Sequence, residues 1–89
     1  MKLSQDAYPV FDKLTGSAYV LLLRTGKWRF FNPSAGKLLK QLADGVDLET
    51  ALRNVAAGYR RPVDVDVLRI DMEPVLRAMI DLGILEENE

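Results

Sequence analysis

The residues with the clearest chemical meaning are Lys27, Trp28, Arg29, Phe30 and Phe31, and that chemistry belongs to the main chain. They read as a short strand between a Thr25-Gly26 reversal and an Asn32-Pro33 helix start. Gly accepts positive φ at no steric cost, and Asn followed by Pro is a strong helix entry. A strand edge with unpaired N–H and C=O groups, and no proline within it, can take up an extended peptide as an added strand. Side-chain catalysis has little to work with. The chain has no cysteine, which removes thiolate nucleophiles, disulfides and Cys metal ligands together. It has no histidine either, the commonest general base and metal ligand. Its carboxylates scatter along expected helix faces without the spacing of a working pair. The composition points to a non-catalytic binding module that needs no cofactor or metal.

Bulk properties narrow the partner. Of 89 residues, 48% are hydrophobic and 28% charged, the balance of an ordinary globular chain large enough for one modest core. The net charge of −1 favours neither nucleic acid nor an anionic membrane. The longest apolar run, Ala18 to Leu23, is far short of the roughly 18 residues of a bilayer span. The N-terminus lacks the apolar core of a secretory signal, so a cytoplasmic location is expected. We read residues 1–89 as one domain, with 1–7 and 87–89 loose.

The elements that must position the strand follow in order. Tyr8 to Leu14 holds strand formers, but Pro9 cannot donate to a ladder, which fits an edge strand or a strand start. Ala18 to Arg24 is a near-continuous apolar run of strand length, the pattern of a strand covered on both faces. With Lys27–Phe31 these make a three-stranded antiparallel sheet with 18–24 central. Beyond Asn32, the residues Ala35, Leu38, Leu39 and Leu42 recur at helical spacing, and Gly45 ends that helix. Asp47 caps a second helix with Leu48, Ala51, Leu52 and Val55 on its apolar side, ended by Gly58. A last helix is expected from about Asp66 to Leu82, kinked at Pro74, with a start near Asp71 as the alternative. The fold class is α+β: the sheet followed by a three-helix, winged-helix-like bundle.

In this order and spacing the chain resembles the PqqD-like peptide-binding domains, known as RiPP recognition elements, over roughly residues 8–86. The likeness rests on Thr25-Gly26-Lys27-Trp28, on Phe31-Asn32-Pro33-Ser34-Ala35 where the family usually shows Leu-Asn-Pro-Thr-Ala, and on Leu38-Leu39-Lys40-Gln41-Leu42 before Asp44-Gly45. It continues through Asp71, Val75-Leu76, Met79 and Gly83-Ile84-Leu85. The chain departs from the pattern at Phe31, Pro74 and Val75. The resemblance implies a standalone domain that captures the leader segment of a ribosomally made precursor peptide between the third strand and the third helix. Small members of this kind accompany lasso-peptide pathways, with a cysteine leader peptidase and an ATP-dependent macrocyclase as partners. The other branch serves a radical SAM enzyme as a peptide chaperone.

Peptide-binding positions follow from this picture: Lys27, Trp28, Arg29, Phe30 and Phe31 from the strand, and Leu68, Asp71, Met72, Val75, Leu76 and Met79 from the last helix. Strand alternation sets Trp28 and Phe30 on one face and Lys27, Arg29 and Phe31 on the other; the resemblance implies that Phe31 is inward, and so that Trp28 and Phe30 point away from the helices. Leu68 and Leu76 read as core, while Met72, Val75 and Met79 read as groove, since thioethers adapt to irregular apolar surfaces. Two rivals come from other classes. A winged-helix DNA reader needs clustered Lys and Arg, yet residues 64–81 carry Asp64, Asp66, Asp71, Glu73 and Asp81 against Arg69 and Arg77. A self-pairing domain would close the same strand edge in a homodimer.

Overall fold

Hairpin chemistry and helix capping account for the order of elements in the computed structural model, which describes residues 1–87. The sheet comprises β2 (Ala7–Phe11), β3 (Ala18–Leu22) and β4 (Lys27–Phe31), antiparallel in the order β2-β3-β4. Gly26 adopts a φ of +72° and donates its N–H to the Leu22 carbonyl at 2.8 Å, closing the β3–β4 reversal. Three helices follow: α1 (Pro33–Ala43), α2 (Leu48–Ala57) and α3 (Val65–Asp81). Each starts on a side-chain cap: Asn32 accepts from the Ala35 N–H, Asp47 from Thr50 and Asp64 from Asp66. The Thr50 N–H and hydroxyl hold the Asp47 carboxyl below its ordinary pKa. This cap therefore contributes above the ordinary carboxylate range and is lost as pH falls through the lowered value.

Two expectations are corrected. Residues 1–7 are not loose: β1 (Lys2–Leu3) pairs antiparallel with β5 (Leu85–Glu86), and the Ser4 N–H donates to the Ile84 carbonyl at 2.8 Å. Ile84 and Leu85, beyond α3, are fully buried and supply the partner that a local reading of the mostly polar N-terminal residues cannot show. The loose ending expected for 87–89 lies outside the described residues at 88–89. The second correction is that β3 is covered on one face only. Ala18 and Val20 are fully buried beneath the helices, whereas Tyr19 on the other face is 45% exposed. The α3 helix runs unbroken through Pro74, so the start near Asp71 is also set aside.

The core lies between the inner sheet face and the three helices, with Leu38, Leu39, Leu42, Leu52 and Met79 among its fully buried side chains. Gly36 shows how closely α1 rides on the sheet. A Cβ there would stand 2.2 Å from the Gly16 carbonyl oxygen and 2.9 Å from the Ala18 nitrogen. Both are backbone atoms and cannot step aside. Gly36→Ala gains about 1 kcal/mol of helix propensity, but overpacking of this kind costs about 1–3 kcal/mol or more. We expect a net lower midpoint in a denaturant titration; an unchanged or raised midpoint would mean that α1 lifts off the turn freely.

Candidate functional site: the edge of β4 and the groove beneath α3

The site is built first from hydrogen-bond parity. The Leu23 N–H donates to Asp6 and the Asp12 N–H to Ser17, at 2.8 and 2.9 Å, at the two ends of the β2–β3 ladder. In an antiparallel pair a residue turns both backbone groups to one side, and the bonded residues alternate. Tyr19 and Leu21 therefore face β2, and Ala18, Val20 and Leu22 face β4. The register pairs those three with Phe31, Arg29 and Lys27. Trp28 and Phe30 are left to turn their N–H and C=O groups outward along the edge that no strand pairs among the described residues.

Side chains alternate across the same strand. Trp28 and Phe30 stand on the outer face, more than half exposed, with the Phe30 ring 5.2 Å from that of Tyr19. Phe31 is half-buried on the inner face, and Lys27 and Arg29 are exposed on that side of the edge. Below the edge lies an open groove of about 420 Å³, walled by Phe30, Phe31, Asn32 and Ala35 on one side and by Pro74, Val75 and Ala78 of α3 on the other.

The helix presents a different stripe to this groove from the one the apolar spacing suggests. Leu68, Met72, Leu76 and Met79 are all buried, Met72 at 7% exposure and Met79 at 0%. The expectation that the two methionines line the groove is thus corrected: they fill the core. Val75 is half-buried and does face the groove, and Asp71 is exposed one turn before it. Asp71, Pro74, Val75 and Ala78 fall at i, i+3, i+4 and i+7, a face of their own. Pro74 and Ala78 lie off the strongest apolar periodicity of the helix, so the sequence alone does not mark them as groove residues. Val67 and Ile70, 52% and 70% exposed, are large apolar residues left uncovered and mark a second apolar run on α3. Proline in a helix interior costs about 3 kcal/mol and leaves the carbonyl four residues back, here Ile70, without its helical donor. That cost falls at the groove wall.

Charge differs between the walls. The strand brings Lys27 and Arg29; the helix brings Asp71, with Asp66, Glu73 and Asp81 also exposed. Among the described residues no cluster of three acidic or other metal-ligating side chains is arranged to hold an ion, and no helix is long and apolar enough to cross a membrane.

Comparison with solved structures supplies one close likeness. TbiB1 in complex with the TbiA(beta) leader peptide superposes with a TM-score of 0.84, covering 100% of this chain and 99% of that one, at 22% sequence identity. This chain has the TbiB1 fold. The α+β order of sheet and then helices is shared across the whole length of TbiB1. No protein-family model matches the sequence, and no curated protein matches it.

The parity argument gives a direct expectation for the free protein. In hydrogen exchange, the amides of Trp28 and Phe30 should exchange as exposed groups, while those of Lys27, Arg29 and Phe31 are protected. Equal protection of all five would contradict an open β4 edge.

Proposed function

We propose that this protein is a non-catalytic binding module that captures the leader segment of a ribosomally made precursor peptide as a strand added to β4. The observation that carries the reading is the unpaired edge at Trp28 and Phe30 directly above a groove walled by α3, on the fold of TbiB1, which was solved with a leader peptide bound. Main-chain bonds to Trp28 and Phe30 supply affinity for any extended segment, and choice comes from the groove, where alternate peptide side chains meet Phe31, Pro74, Val75 and Ala78. Lys27 and Arg29 on one wall and Asp71 on the other favour a segment with acidic and basic residues on opposite margins. Leu68, Met72, Leu76 and Met79 take part as the support that fixes α3 rather than as contacts. Downstream, we propose delivery to a cysteine leader peptidase and an ATP-dependent macrocyclase in lasso-peptide biosynthesis, in the cytoplasm. The alternative branch is a peptide chaperone for a radical SAM enzyme. The three helices take a winged-helix-like role as a wall for peptide rather than as a reader of DNA, since the exposed acids of α3 would repel phosphate.

Calorimetric titration with a synthetic leader peptide, taking the TbiA(beta) leader as the first probe, tests the reading. Val75→Glu and Ala78→Glu should weaken binding by tenfold or more, equivalent to about 1.4 kcal/mol, with the melting curve little changed. Met79→Glu instead buries an unpaired charge in the core and should unfold the protein, at a cost of several kcal/mol. Undiminished peptide affinity in both groove variants would refute the proposed site.

A further inference from the structure

The outer face of the sheet is uncovered and carries no charge. Strand register aligns Tyr8, Leu21 and Trp28 in one row and Val10, Tyr19 and Phe30 in the next. All six side chains point away from the helices and every one is apolar or aromatic. Tyr8 is 58% exposed, Trp28 54% and Phe30 58%. An antiparallel sheet with one face on the core ordinarily carries polar residues on the other. A contiguous apolar patch of this kind marks an interaction surface.

We propose that this face packs against the same face of a second copy, forming a two-fold dimer of stacked sheets. Three observations favour a second copy. First, area: four rings that bury about 150–250 Å² each when fully covered, here about half exposed, supply roughly 300–500 Å² per copy. Val10, Leu21 and Leu23 bring the pair of copies to roughly 1,000 Å², the threshold of a biological interface. Second, a two-fold interface must be self-complementary. A patch without charge meets itself with no like-charge clash, because alternation sends Lys27 and Arg29 to the opposite side of β4. Third, Arg24 at the margin is already paired with Asp6 at 3.0 Å. Stacking leaves the free edge of β4 and the groove open in both copies, so the proposal stands whether or not the peptide reading does.

Sedimentation equilibrium over about 1–500 μM, the range in which an interface near this threshold is sampled, tests it. The wild-type chain should move between monomer and dimer. A kosmotropic salt such as sulfate should tighten the association, since it strengthens apolar burial. Tyr8→Glu and Val10→Glu, on exposed positions of β2 far from the groove, should weaken dimerisation at least tenfold without moving the melting curve. Trp28 is the sole tryptophan, so its quenching by acrylamide should fall in the wild-type chain as concentration rises, a readout that needs no variant. The amides of Trp28 and Phe30 should remain unprotected in the dimer. A monomer throughout the range overturns the proposal and leaves the face to a different protein. So does a dimer indifferent to both variants, or one that protects those two amides, which would place the contact at the strand edge.

Discussion

Burial of Leu68, Met72, Leu76 and Met79 is the constraint on which the rest of the structure depends. Fully burying a Leu or Met side chain contributes about 1.5–3 kcal/mol, so the four together fix the rotation of α3 about its axis. The ion pairs of Arg69 with Glu49 on α2 and with Asp66 are partly exposed. Such pairs, screened by water, add little, so packing decides where α3 lies. Once that stripe is inside, the adjoining face of Asp71, Pro74, Val75 and Ala78 must turn toward β4. The groove is therefore a by-product of core packing, and its shape is as rigid as the core beneath it.

The second wall is set by parity. A strand of five residues offers its partner only every other backbone group, and the β2–β3 ladder determines which ones β3 has left for β4. Lys27, Arg29 and Phe31 are used inside the sheet; Trp28 and Phe30 are not. Exposed edges invite unwanted pairing, and proteins commonly blunt them with proline, bulges or inward charges. Here β4 carries two such charges, Lys27 and Arg29, but no proline within it, the first, Pro33, lying past the edge. An edge left this open is consistent with an edge that is used.

Local chemistry made most of the elements legible. Asn32-Pro33, Asp47 and the turn glycines placed β3, β4 and the helices within a residue or two, because caps and turns are decided by neighbours in the chain, whereas the strand read over Tyr8 to Leu14 ends at Phe11. Pairing of Lys2–Leu3 with Leu85–Glu86 was not legible, since it joins segments more than eighty residues apart. At the candidate site, the open β4 edge was legible from Lys27–Phe31, and on α3 the groove face holds Asp71 and Val75 of the expected set, while Leu68, Met72, Leu76 and Met79 turn into the core. The apolar spacing of Met72 and Met79 signals burial equally well for a core and a groove, and only the packed structure separates them. Pro74, read as a local kink, is better understood as part of the groove wall. The exposed outer face of Tyr8, Tyr19, Trp28 and Phe30 was visible only in part, because the apolar run at Ala18 resembles a strand covered on both sides.

The central claim is that an extended peptide joins the sheet at β4. Intermolecular nuclear Overhauser effects between labelled protein and an unlabelled synthetic leader peptide test it most directly. The account predicts cross-strand contacts from the backbone protons of Trp28 and Phe30 to alternate residues of the peptide, together with contacts from Val75 and Ala78 to its inward side chains. A bound peptide that touches only the outer aromatic face, or one that leaves both β4 and α3 without contacts, would contradict it.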